Sequence, residues 1–325
     1  MTDPAVFYPT LLGVSFLVAG IISYRRQLEA PTLRNAFGLV ALGPVFVAAS
    51  LATFAGEHFT AAAALAQLVP KWLPGRLFIA YFVGVAHLAA ALSIVAKRYI
   101  RWSAFGLALM FALFVLLMDL PAAIAHPTVR IAWSLAARET TFSIGALALF
   151  RIAMEMQRPR RAASLAPTAR YWTACVLIFY GIENLLYPQF APGVPDVIPT
   201  AAWVPAASVI AYATGILLIA FGATMFVAKR ASAAAAWCGL LMVVLTIGLY
   251  VPQFFIARDV AQQVNGFNFV FDTLLFAGMM LVVSRAIAVI PFEEPEADPY
   301  GPRVERAGVP RPPPRAEAEV PPHRA

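Results

Sequence analysis

Apolar runs of about 20 residues, the length that crosses a hydrocarbon core of about 30 Å, recur from one end of this sequence to the other. Most of the charged residues are crowded into the segments between and after them. Inside a bilayer the backbone amides and carbonyls must be satisfied within the segment itself, so repeated runs of this length specify a bundle of transmembrane helices. The uncharged runs are Val6 to Tyr24, Ala36 to Gly56, Leu77 to Ala96, Trp102 to Met118, Tyr171 to Ile182, Ala206 to Ala228, Ala231 to Ile256 and Phe267 to Ser284, the last broken only by Asp272. Arg138 and Glu139 interrupt a ninth, Ile131 to Phe150, which is still long enough to span. The expected fold is an all-α membrane protein with nine transmembrane helices.

Composition excludes the main alternatives. With 61% hydrophobic and 13% charged residues, the chain has too little polar surface to cover a soluble globule. The formal charge of +7 does not form a basic domain or amphipathic face, so nucleic acid is not an expected partner. The basic residues flank the apolar runs, where they act as topology signals. Cys175 and Cys238 lie within apolar runs without C-x-x-C spacing, which leaves them as packing thiols. Met1 to Ala5 carries Asp3, no basic residue and no following A-x-A site, so the first run reads as a retained helix and not a cleaved signal peptide.

Alternate connections differ in lysine and arginine. One face receives Arg25, Arg26, Arg34, Lys97, Arg98, Arg101, Arg151, Arg158, Arg160, Arg161, Arg170, Lys229, Arg230 and Arg285; the other receives Lys71, Arg76, Arg130, Arg138 and Arg258. The positive-inside rule then places the N-terminus outside and the C-terminus in the cytoplasm of a bacterial inner membrane. From Pro291 the chain turns Pro-rich and charged, a composition that buries no core and predicts a disordered tail over 291–325.

The two halves match in order. Phe54-Ala55-Gly56-Glu57-His58-Phe59 corresponds to Tyr180-Gly181-Ile182-Glu183-Asn184-Leu185, and Trp72-Leu73-Pro74 to Trp203-Val204-Pro205. Ala80, Tyr81 and Gly84 correspond to Ala211, Tyr212 and Gly215; Val95 to Arg98 repeats as Val227 to Arg230. Ala104 to Met110 aligns with Ala236 to Met242, and Glu139-Thr140 with Asp272-Thr273. The expected organisation is an N-terminal helix (1–33), a four-helix repeat (34–154), a basic cytoplasmic linker (155–169), a second four-helix repeat (170–290) and the tail. Four spans per unit is an even number, so the repeats are parallel, related by an axis along the membrane normal. The first helix stands outside the duplication, as an anchor or as a packing helix for a partner.

The stretch Gly56-Glu57-His58-Phe59, followed by Leu68-Val69-Pro70-Lys71-Trp72-Leu73-Pro74-Gly75 and Tyr81-Phe82-Val83-Gly84-Val85-Ala86, resembles the DoxX-like family of small four-helix bacterial membrane proteins. The resemblance is strongest over about Arg34 to Leu120, weaker in the second half, and absent from the first helix and the tail. Arg170 before Tyr180-Gly181-Ile182-Glu183 resembles the family's first helix, whereas Pro44 stands where the first half would carry that arginine. The resemblance implies a four-helix fold and an association with quinone-linked or thiol-linked redox assemblies, and it carries over no catalytic residue.

Ionisable side chains within spans are expensive, about 2.5 to 3.5 kcal/mol at a helix centre on insertion scales, and so mark candidate chemistry. At about 1.5 Å per residue, Glu139 lies roughly 18 Å above Arg151, Asp272 roughly 20 Å above Arg285 and Glu183 roughly 20 Å above Arg170; Glu57 joins this level through the repeat, and His87 lies roughly 15 Å above Lys97. The first half suggests a cluster of Glu57, His58, His87, Arg138 and Glu139. The second keeps Glu183 and Asp272, exchanges His58 for Asn184 and His87 for Leu218, and adds a polar stripe of Asn265, Asn268 and Asp272. Such a level fits structural ion pairs, a pocket in which a carboxylate exchanges the proton that accompanies quinone chemistry, or a metal set of Glu57, His58 and His87. No phosphate loop, H-E-x-x-H or G-x-S-x-G motif is present. The expected function is a membrane subunit, embedded among lipids, that offers a quinone or other hydrophobic ligand to a redox partner protein; a small-molecule carrier and a purely structural subunit are the alternatives.

Overall fold

The computed structural model describes residues 3–28, 38–155 and 165–288, whose elements are all helices joined by turns and loops, with no strand among the described residues. The chain divides into Met1–Pro291, which holds every described element, and Phe292–Ala325, which lies outside the described residues. Residues 156–164 of the expected linker and the expected tail therefore lie outside the described residues.

The elements are α1 (Pro4–Leu28), α2 (Gly43–Thr60), the single turn α3 (Ala62–Leu65), α4 (Arg76–Val95), α5 (Ile100–Phe114), α6 (Leu120–Ala125), α7 (Arg130–Glu155), α8 (Leu165–Leu186), α9 (Ala207–Met225), α10 (Ala228–Leu245), α11 (Val251–Ile256) and α12 (Val260–Ala288). Among the described residues, seven stretches are long and apolar enough to cross a membrane: α1, α2 with its leading turn, α4, α5 through α6, α9, α10 through α11, and α12. The two other long helices, α7 and α8, have 26 and 22 residues and carry charge along their length. Many large apolar side chains on the outer helices face outward, among them Phe78, Phe82, Leu116, Val209 and Ile216. In water that surface would be an aggregation liability; against lipid it is the required one.

Pro44 does not kink a long helix. A 3-10 turn, Gly38–Leu42, leads into α2, and the proline occupies its first turn, where no backbone amide needs a partner. Two other prolines have a larger effect. Pro121 and Pro252 each lie in the first turn of a six-residue helix, α6 and α11, and each is preceded by a five-residue π segment, Val115–Asp119 and Thr246–Tyr250. A proline inside a helix removes one amide and crowds the carbonyl four residues earlier, and the backbone relieves the crowding by widening for one turn. The helix thus continues past Met118 and draws Asp119 into the span. Similarly, α8 starts at Leu165, inside the segment expected to be linker.

The long helices close a ring. α2 packs on α4, α4 on α5, α5 on α7, α7 on α8, α8 on α9, α9 on α10, α10 on α12 and α12 on α2, while α7 and α12 also touch across the middle. α1 lies outside, against α2. Small residues permit the tight crossings, as is common between membrane helices. A methyl group added to Gly278 of α12 would sit 2.9 Å from the Gly43 carbonyl oxygen of α2, and one added to Gly215 of α9 would sit 2.8 Å from the Gly181 carbonyl oxygen of α8.

Candidate functional site

The ring brings the intramembrane polar residues into three groups. At the α7–α12 crossing, Arg138 Nη1 donates to Asp272 Oδ2 at 2.7 Å, and its Nη2 lies 3.5 Å from Glu139 Oε1. The arginine thus reaches from α7 to α12, while on α7 the Thr140 hydroxyl donates to the Ala136 carbonyl. One guanidinium serves two carboxylates. Asp119, delivered by the π turn of α5, also lies in the field of Arg138, and its Oδ2 is buried without a hydrogen-bond partner.

The second group lies where α8 meets α7. Arg130 Nη1 bonds Glu183 Oε2 at 2.9 Å, its other terminal nitrogen donates to the Asp196 carbonyl, and its guanidinium lies 4.7 and 4.8 Å from the Tyr187 and Phe190 rings. Next to Glu183, Asn184 donates to the Tyr180 and Gly193 carbonyls and accepts from the Gly193 amide. Tyr180 donates to the Ser134 carbonyl at 3.0 Å. The Arg130, Glu183, Asn184 and Tyr180 side chains all have partners, and Arg130 and Asn184 tie the loop after α8 onto the bundle.

The third group is different. Glu57 on α2 accepts from Asn268 Nδ2 of α12 at 3.3 Å. His58 Nδ1 sits 2.8 Å from the Phe54 carbonyl, and its ring meets that of His87 on α4 edge-on, with centroids 5.4 Å apart. His87 is only 3% exposed, packed among the Phe54, His58 and Phe111 rings, and neither of its ring nitrogens has a partner. Its counterpart in the second half, Leu218, is fully buried and apolar.

The sequence-based cluster of the first half is therefore divided. Glu57 bonds Asn268 of the other half, and the ion pairs of Arg138 are made with Asp272, also of the other half, and with adjacent Glu139. Asn265, first in the polar stripe of α12, is exposed. Among the described residues no three ligating side chains converge as a metal ion would require, and Glu57, His58 and His87 are no exception. Asp119 and Arg130 were not singled out from the sequence. Asp119 fell just beyond a run counted as ending at Met118, and Pro121 two residues on was the signal that this helix is widened and not ended.

Residues 47–157 are similar to the family described as "Domain of unknown function (DUF8561)". That stretch runs from α2 into the segment after α7 and contains Glu57, His58, His87, Asp119, Arg130, Arg138 and Glu139, but not Glu183, Asn268 or Asp272. The chain matches no curated protein and no solved structure.

Proposed function

We propose that the chain is a nine-span, DoxX-like inner-membrane subunit, with its N-terminus outside and C-terminus in the cytoplasm, built from two parallel four-helix repeats plus α1. Its role is to pass the proton that accompanies reduction or oxidation of a lipid-soluble molecule, a quinone being the leading class, while a partner protein supplies the electrons. One observation carries the reading: His87 is buried with both ring nitrogens unpartnered, its ring edge-on to that of His58. An orphaned buried polar group costs about 1–3 kcal/mol. The equivalent place in the second half holds leucine, so the fold does not need the imidazole. A ring that the packing does not require, next to a second imidazole, is suited to donate a proton to a quinone carbonyl on reduction or to accept one from the hydroquinone hydroxyl on oxidation.

The test is His87→Leu, together with Glu57→Gln, in protein purified in mild detergent with and without a quinone analogue. His87→Leu should unfold at the same temperature as the wild type or higher, because an apolar side chain replaces an unsatisfied one, and should lose the stabilisation that the analogue gives the wild type. The redox reading falls if the wild type shows no response to the analogue, or if His87→Leu responds as the wild type does. A carrier is the second reading. It draws on the two π segments with their prolines, which interrupt corresponding helices of the two halves, the kind of paired interruption that marks substrate sites in carriers. The π segments are widened and not unwound, which keeps this reading second.

A further inference from the structure

At the opposite end of the helices from the histidine pair, a cavity of about 540 Å³ opens between α1, the α4–α5 turn, α7 and the end of α12. Lys97, Arg101 and Arg285 line it with Tyr24, Tyr99 and Trp102, and among the described residues no acidic side chain is part of its walls. We infer that this cavity binds the phosphodiester headgroup of an anionic phospholipid, with phosphatidylglycerol as the fitting chemistry.

The walls match such a ligand part by part. Lys97 Nζ lies 4.3 Å from the Tyr24 ring centre and donates to the Ser23 carbonyl, while the Arg101 guanidinium stacks 4.6 Å from the Trp102 ring. Both cations are thereby held at the cavity and not left to sweep through solvent. Burial and the neighbouring charge of Arg26 push the Lys97 ammonium below the usual lysine range. The Gln27 amide adds a polar group whose oxygen is buried and unpartnered; an amide can accept from a glycerol hydroxyl or, turned over, donate to a phosphate oxygen. Lys97 and Tyr99 hold left-handed backbone angles, φ 54° and 61°, which cost a side-chain-bearing residue energy and set both side chains at the rim. Trp102 and Tyr99 are largely exposed, as befits aromatic rings at the headgroup level. Basic pockets between membrane helices are a recurrent site for anionic headgroups.

The cavity also gives α1 a purpose. α1 has no counterpart in the second half, and it supplies Tyr24 and Gln27. The matching turn at Val227 to Arg230 leaves Lys229 and Arg230 exposed, outside this cavity.

The test compares three proteins in vesicles of phosphatidylcholine alone or mixed in equal parts with phosphatidylglycerol: wild type, Lys97→Gln/Arg285→Gln, and Lys229→Gln/Arg230→Gln. Phosphatidylglycerol should raise the unfolding temperature of the wild type and of the Lys229/Arg230 control alike. The Lys97/Arg285 variant should lose most of that rise. Equal loss in both double variants would show a diffuse charge effect and overturn the site. A second arm adds glycerol 3-phosphate to protein in a neutral detergent; a full shift from the soluble phosphate would transfer the site from lipid to metabolite and overturn the lipid assignment. Should Lys97→Gln/Arg285→Gln fail to fold, photo-crosslinking of wild type with headgroup-labelled phosphatidylglycerol decides, since labelled peptides must contain the Lys97 to Trp102 turn or Arg285, and labelling elsewhere refutes the proposal.

Discussion

Replacing Arg138 by glutamine removes the cation that Asp272 and Glu139 share at the α7–α12 crossing and leaves both carboxyl groups without it. Taking one partner from a buried ion pair costs about 3–5 kcal/mol, whereas a neutral hydrogen bond between membrane helices averages about 0.6 kcal/mol. The Arg138 and Asp272 side chains are 19% and 25% exposed, so the low end of the first range applies, and Arg138→Gln should cost about 3 kcal/mol. Asp272→Asn should cost less, because Glu139 at 3.5 Å is ready to take the freed guanidinium. Detergent-driven unfolding of the two single variants and the double variant isolates the pair. The coupling should exceed about 1 kcal/mol, while a parallel cycle of Arg138→Gln with Glu57→Gln should show coupling within about 0.5 kcal/mol, the scatter of independent sites. Strong coupling of Arg138 to Glu57, with none to Asp272, would refute the pairing across the halves on which the account of the crossing rests.

Two further outcomes follow from single contacts. Asn184→Ala should destabilise the protein by about 1–3 kcal/mol, the cost of leaving buried partners unsatisfied, and should expose the loop around Gly193 to proteolysis; an unchanged cleavage pattern would show that the loop is held by Arg130 alone. A reporter fused after Arg285 should be cytoplasmic and one placed within Phe190 to Thr200 external, and the reverse pattern would remove the nine-span topology.

The helical membrane class was legible because lipid removes the choice: an apolar run that long has no other way to satisfy its backbone. Helix ends were less legible, since proline acts through its surroundings. Pro44 ends up in a first turn and Pro121 inside a widened helix, and the residue alone does not separate the two. Depth along a helix was countable from rise per residue, which is how Glu139 and Asp272 came to be placed on one level, and they do meet around Arg138. Partners were not countable. Glu57 bonds Asn268, which is 211 positions away, and nothing in local spacing records which helices a ring sets side by side. The unpartnered state of His87 was invisible for the same reason, although the exchange for Leu218 was a hint that its imidazole is not a packing requirement.

Pairing across the halves also bears on how the chain folds. In each half the first helix packs against the fourth helix of the other, α2 on α12 and α8 on α7, and the acid on each first helix is satisfied there, Glu57 by Asn268 and Glu183 by Arg130. Gly43 and Gly278 make the α2–α12 crossing as close as backbones allow. A half expressed alone would present an unsatisfied carboxyl and a glycine-lined face to lipid, so neither half should form a stable unit by itself, even though the similarity to DUF8561 covers most of the first half and none of the second. Separate expression of residues 1–159 and 160–325 should give unstable products, and co-expression should restore a complex that co-purifies and withstands detergent. Gly278→Val in the second piece should abolish the restoration, because the added side chain meets the Gly43 carbonyl directly. Stable accumulation of residues 1–159 on their own, with a cooperative unfolding transition, would show that the first repeat closes on itself and that the ring arises by later docking of two finished units.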